Sequence, residues 1–308
     1  MEQNEEQLQT VSGGKLLFET GVAFSVASAL PIVFSFVILF IAQAIAGAGY
    51  ADTQGYKYCT YLVPQLCFAA AAFVYFKRAR ISVRSVCTGC KPQYFLIAVL
   101  LQFGLLSLSE LNGLFLKGLS YLGYEQAPST LPDVAGWNLL PALVVIAVLP
   151  AIFEEVIFRG ILAKNMQASG WGTAVTVLLS GAMFSLFHTN PAQTVYQFAC
   201  GMCFALVALR SGSVFPTVLS HFINNAVVLC LLSAGIEDYP AAVKIPLYSV
   251  AGAVLLGVLA YLVFFDKKNG QKGGLKEGKK FFLGAFVGIV LCGILWISVL
   301  ISGIVSNG

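Results

Sequence analysis

The sequence predicts an all-α fold, a polytopic membrane helix bundle of about nine transmembrane helices, and three observations predict it. The chain is 58% hydrophobic and only 10% charged, whereas a soluble domain carries about a quarter charged residues. Six runs, at residues 20–51, 134–153, 165–209, 211–236, 245–265 and 281–308, contain no Asp, Glu, Lys or Arg. Each can supply the roughly 20 apolar residues that cross a bilayer. Lysines and arginines are dense in every second loop, the pattern of a multi-pass topology.

Taken in order, residues 1–19 form a polar leader with Glu2, Glu5 and Glu6 and no basic n-region. The first span, 20–51, is therefore expected to be retained rather than cleaved as a signal peptide. The second and third spans fall at 58–76 and 93–115. The fourth starts at 134 and runs on into "AIFEEVIFRG". The 45 residues of 165–209 suffice for two crossings and break at "TNP", Thr189 to Pro191, into a fifth and a sixth. The seventh lies in 211–236 and the eighth in 245–265. A Gly/Lys linker at 266–280 leads to the ninth. This divides the chain into N-terminal spans (20–137), a core in spans four to seven (138–236) and C-terminal spans (237–308). The loop at 116–137, with "EQAPSTLPD", is the longest outer segment and reads equally as a lid or a connector.

With a cytoplasmic N-terminus, the inner loops hold Lys15, Lys77, Arg78, Arg80, Arg84, Lys91, Lys164, Arg210, Lys267, Lys268, Lys272, Lys276, Lys279 and Lys280. The outer loops hold only Lys57, Lys117 and Lys244. Fourteen against three fixes the expected orientation, with the C-terminus outside. The net charge of +4 thus reflects membrane topology, and nucleic acid is not expected as a partner. Of the eight cysteines, "CTGC" (Cys87 to Cys90) and "CGMC" (Cys200 to Cys203) have the spacing of half a zinc site, but neither has a second ligand pair nearby.

Charge inside a span costs about 2.5–3.5 kcal/mol per residue at the bilayer centre, so it marks function by default. The fourth span carries Glu154, Glu155 and Arg159. Glu155 and Arg159 are four apart, acid first, the better order for an ion pair on one helix face. Glu154 is turned about 100 degrees away and is left without that partner. Both histidines also fall in spans, His188 in "FSLFHTN" and His221 in "LSHFINN". His221 and Asn225 share a face, and Phe184 lies one turn before His188, where its ring can shield the imidazole. Asn224 points elsewhere and reads as an interhelical hydrogen bond, and Asn225 alone is open to the same reading.

A buried glutamate, two histidines and an asparagine can activate a water and stabilise an oxyanion. The same atoms offer an alternative: Glu154, His188 and His221 as ligands of a divalent metal such as zinc, with water in the open position.

"EEVIFR", "FSLFH" and "HFINN", in that order, resemble the three motifs of the CAAX prenyl protease and bacteriocin-processing (CPBP, Abi) family of intramembrane metalloproteases. The likeness spans roughly residues 139–232. Each motif is short, and their order on successive membrane helices carries the resemblance. It implies Glu154 as the base and His188 as its partner on the water. His221 and Asn225 would form the oxyanion site, and Glu155 and Arg159 would be supporting residues. The implied substrate is a membrane-embedded or lipidated peptide, met in the lipid bilayer, for CAAX-type processing or bacteriocin processing and self-immunity. Whether a metal takes part is left open by the resemblance.

Two other classes compete. A catalytically silent immunity or partner-binding protein would retain the same fold. A proton-coupled transporter would spread polar residues through several helices, whereas here they concentrate in spans four, five and seven. Straight, upright helices present a difficulty, because Glu154 and His188 come out about 20–25 Å deep and His221 only about 10 Å.

Overall fold

The computed structural model describes residues 13–127, 130–236 and 238–305. Within them the fold is helical throughout, with nine helices and no strand among the described residues. They are α1 (Gly13–Asp52), α2 (Gln54–Ala79), α3 (Gln93–Ser120), α4 (Gly136–Ala168), α5 (Thr173–Phe187), α6 (Pro191–Ser211), α7 (Phe215–Ser233), α8 (Ala241–Phe265) and α9 (Gly278–Val305). All except α5 are long and apolar enough to cross a membrane, so the chain is an integral multi-pass membrane protein. Most of the expected polar leader, residues 1–12, lies outside the described residues, and residues 13–19 already belong to α1. Pro128 and Ser129 of the long outer loop are likewise outside them.

The expected nine spans are present with one change. Helix α5 has 15 residues, about 22 Å of rise against a hydrocarbon core of about 30 Å. Its connection to α6 therefore ends inside the bundle. Trp296 Nε1 donates to Thr194 Oγ1, at 2.8 Å, and Trp296 sits nine residues before the end of α9. Irregular backbone is tolerated at such depth only where protein groups satisfy it. Here Asn112 Nδ2 donates to Ala192 O, Ala192 N donates to Asn190 Oδ1, and Ser185 Oγ donates to Thr194 O. Asn112 lies in the second half of α3, beyond a tight turn at Leu106 and Ser107.

The loops sort to two ends. At one end, Lys164 Nζ donates to Ser85 O, Val86 O and Gly212 O, and Trp171 Nε1 to Lys276 O. Ser169 Oγ donates to Gly13 O. These are the loops expected to be basic and inner. At the other end, Asp133 N donates to Gln54 Oε1 and Glu125 N to Gly303 O. Hydrogen bonds from Ala135 N and Asn138 Nδ2 hold the Asp133 carboxyl below its usual range, which ties the entry to α4.

Close approaches of small residues hold the spans together, as lipid supplies no hydrophobic force between them. Gly21 of α1 lies against the backbone of Gly284 and Ala285 in α9. Ser25 Oγ donates to Gly284 O, at 2.7 Å, and accepts from Gly288 N. Gly181 of α5 and Gly201 of α6 meet in the same way. Large apolar side chains such as Phe40, Leu256 and Leu283 remain exposed on the outside, as a lipid-facing surface requires.

Candidate active site

Helix α4 is not a uniform α-helix where it carries the glutamates. Residues Leu143–Val148 and Val156–Ala163 are π-helical and flank the α-helical turn Leu149–Glu155. Such π turns insert extra backbone, re-aim side chains and recur at functional sites. Pro150 contributes, because it has no N–H to give the carbonyl of Ile146 four residues earlier. Asn225 of α7 supplies a donor there, Nδ2 to Ile146 O at 3.0 Å. The interhelical bond that sequence allowed for Asn225 is therefore present. Asn224 donates to Asn225 Oδ1 and accepts from Gln102 and Tyr196, the interhelical bonding expected of it.

Glu155 and Arg159 are 0% exposed and pair as the spacing foretold, with Oε1 to Nη1 at 2.9 Å. The contact has ion-pair distance but not hydrogen-bond direction, so the guanidinium nitrogens lack acceptors. Aromatic faces surround them instead: Arg159 Cζ lies 4.2 Å from the ring centre of Phe184 and 5.2 Å from that of Phe204, where a cation is attracted by the ring quadrupole. The same Glu155 oxygen also holds His221, whose Nδ1 is 3.0 Å away. One carboxylate thus fixes both a helix-positioning arginine and an imidazole, leaving His221 Nε2 for other partners.

For the glutamates of α4 the depth conflict has a geometric resolution. Lys164 Nζ bonds Gly212 O at 2.7 Å, which sets α4 and the α6–α7 turn at one level. Glu155 is nine residues before Lys164 and His221 nine after Gly212, so both lie about 13 Å from that level. Counting α4 from its end places Glu154, the neighbour of Glu155, too deep, because α4 continues past the level of the α6–α7 turn.

Glu154 is 8% exposed and stands apart from this cluster. Its Oε1 accepts from Gln65 Nε2 of α2 at 3.3 Å, and its Oε2 has no protein partner. His188 caps the end of α5, its ring packed 4.6 Å from Phe184. Phe184 therefore stands beside that imidazole as expected, and its ring centre is also 6.2 Å from that of His221. His188 Nδ1 lies 2.7 Å from Phe184 O. A carbonyl only accepts, so Nδ1 carries the proton and the neutral ring offers the Nε2 lone pair. Glu154 and His221 both lie near enough to act electrostatically on His188. The next residue, Thr189, has φ of 48°, a left-handed conformation uncommon for a β-branched residue.

The structure thus brings Glu155, Arg159 and His221 into direct contact, while Glu154 bonds Gln65 and His188 packs on Phe184. It joins Asn225 to α4 rather than to His221. Sequence reading missed Gln65, whose signal was a lone polar residue after Pro64 in an otherwise apolar stretch of the second span. Among the described residues no three His, Cys, Asp or Glu side chains gather closely enough to hold a metal ion. The set Glu154, His188 and His221 does not form such a ligand shell in this structure. Cys87, Cys90, Cys200 and Cys203 are free thiols.

Neither a curated protein nor a solved structure matches the chain. The family model described as Type II CAAX prenyl endopeptidase Rce1-like matches residues 136–227, which are α4 to most of α7 and include all seven of the expected site residues. Residues 136–227, about a third of the chain, are thus similar to the Rce1-like type II CAAX prenyl endopeptidase family, within a longer helical membrane protein.

Proposed function

We propose that the chain is an intramembrane endopeptidase that hydrolyses a peptide bond of a membrane-associated or lipidated peptide. The observation that carries this reading is the contrast between two adjacent glutamates. Glu155 is held through Oε1 by Arg159 and His221, whereas Glu154 has no basic partner among the described residues and takes only the neutral amide of Gln65; its Oε2, like that of Glu155, is buried without a hydrogen-bond partner. A buried acceptor left unsatisfied costs stability, and a water both satisfies it and becomes the nucleophile.

In this reading Glu154 takes a proton from the water as its oxygen bonds to the scissile carbonyl carbon. The proton then passes to the amine as the C–N bond breaks. His188 accepts from the same water through Nε2, its tautomer set by the Phe184 carbonyl. The tetrahedral oxygen is met by His221 Nε2, which must carry a proton to donate, and by the second Nδ2 hydrogen of Asn225. Glu155 and Arg159 position these groups. The basic end of the bundle faces the cytoplasm, and the C-terminus lies outside.

Mass spectrometry of membrane peptides from cells making the wild-type protein or Glu154→Gln tests the reading. Peptides whose cleavage depends on Glu154 are expected, with a farnesylated CAAX peptide as a first purified substrate. Identical peptidomes would remove the proposal.

A further inference from the structure

We infer that Gln65 of α2 is a positioning residue for the base, so that the site is completed by a helix outside the matched residues 136–227. This rests on the reading of Glu154 as the base. Gln65 is buried, and its Nε2 donates to Glu154 Oε1 at 3.3 Å. The amide oxygen Gln65 Oε1 and the carboxylate oxygen Glu154 Oε2 are each buried without a partner. Two acceptors cannot satisfy one another, so each calls for a donor of its own, the nucleophilic water at Glu154 Oε2 and a second water at Gln65 Oε1. Water is the smallest such donor. Gln65 thereby fixes which carboxylate oxygen is occupied, Oε1, and which is left to take the proton, Oε2.

The fold supports this assignment from both sides. Phe68, one turn after Gln65 on α2, packs its ring 5.1 Å from Phe187, the residue before His188. Phe187 in turn lies 5.9 Å from the His188 ring. Helix α2 is thus locked against the end of α5 as well as against α4, and Gln65 is carried on the wall facing both. Among the described residues Gln65 is the one α2 side chain hydrogen-bonded to a glutamate of α4.

The test uses the full-length protein in detergent and a peptide that the purified wild-type protein cleaves. Gln65→Met keeps the side-chain length and removes the donor. The expected result is a fall in kcat of about tenfold to a hundredfold, the value of a hydrogen bond to a charged group. KM should stay within about twofold and the thermal midpoint should be unchanged, because a lost orientation acts on the chemical step. Should Gln65→Met not fold, Gln65→Asn withdraws the amide by one methylene and carries the same expectation. Wild-type kcat in the folded variant, or a loss confined to KM, would overturn the assignment and leave Glu154 as the base. Full turnover by Glu154→Gln would overturn both together.

Discussion

His221 Nδ1 lies 3.0 Å from Glu155 Oε1, so the helix that carries the second histidine is tied to the second glutamate of α4, not to the first. The same oxygen is 2.9 Å from Arg159. One buried carboxylate therefore joins α4 to α7, and its immediate neighbour in sequence is left to face Gln65. The division follows from helix geometry, since adjacent residues diverge by about 100 degrees.

Arg159→Lys is expected to destabilise the protein strongly. An ammonium cannot fill the planar space between Phe184 and Phe204 or reach Glu155 in the same way. Disrupting a buried ion pair costs about 3–5 kcal/mol. A thermal melt in detergent should show a drop of several degrees, with loss of activity following loss of fold.

The contact between the first and last spans is tested by Gly21→Val and Gly284→Val. A Cβ at either position runs into backbone of the partner helix, which cannot give as a side-chain end can. Overpacking costs about 1–3 kcal/mol, so lower folded yield and midpoint are expected. Gly293→Ala, which meets nothing within 4 Å, should behave as wild type.

Topology is read through Cys87 and Cys90 in a variant that retains only these two cysteines. Both lie in the loop between α2 and α3, at the basic end. A membrane-impermeant maleimide should miss them in intact cells and reach them after permeabilisation. Burial pushes both thiols up, so less thiolate is present near neutral pH and labelling should be slow at pH 7 and faster as pH rises. Labelling of intact cells would reverse the proposed orientation.

Much of this was legible in the sequence because it depends on composition and spacing. Charge-free runs located the spans, and loop charge separated the two ends that the hydrogen bonds of Lys164 and Asp133 now mark. An i, i+4 rule placed Arg159 on Glu155. What was not legible depends on tertiary register. The shortness of α5 was hidden in an unbroken apolar run. The π turns of α4, and the level shared by Lys164 and Gly212, arise from packing between helices. Asn225 illustrates the boundary: its bond to Ile146 O answers the missing N–H of Pro150, a local rule that becomes visible only once α7 is known to lie beside α4. Gln65 lay in a span that the three motifs do not include.

The division of labour between the two glutamates is tested most directly by measuring turnover and thermal midpoint for Glu154→Gln and Glu155→Gln side by side. Glu154→Gln should lose turnover of peptides that the wild-type protein cleaves while its midpoint stays near wild type, since the replacement is isosteric and breaks no ion pair. Glu155→Gln should lower the midpoint by several degrees, because Arg159 is left buried without a counter-charge. Turnover by folded Glu154→Gln at the wild-type rate would contradict the account.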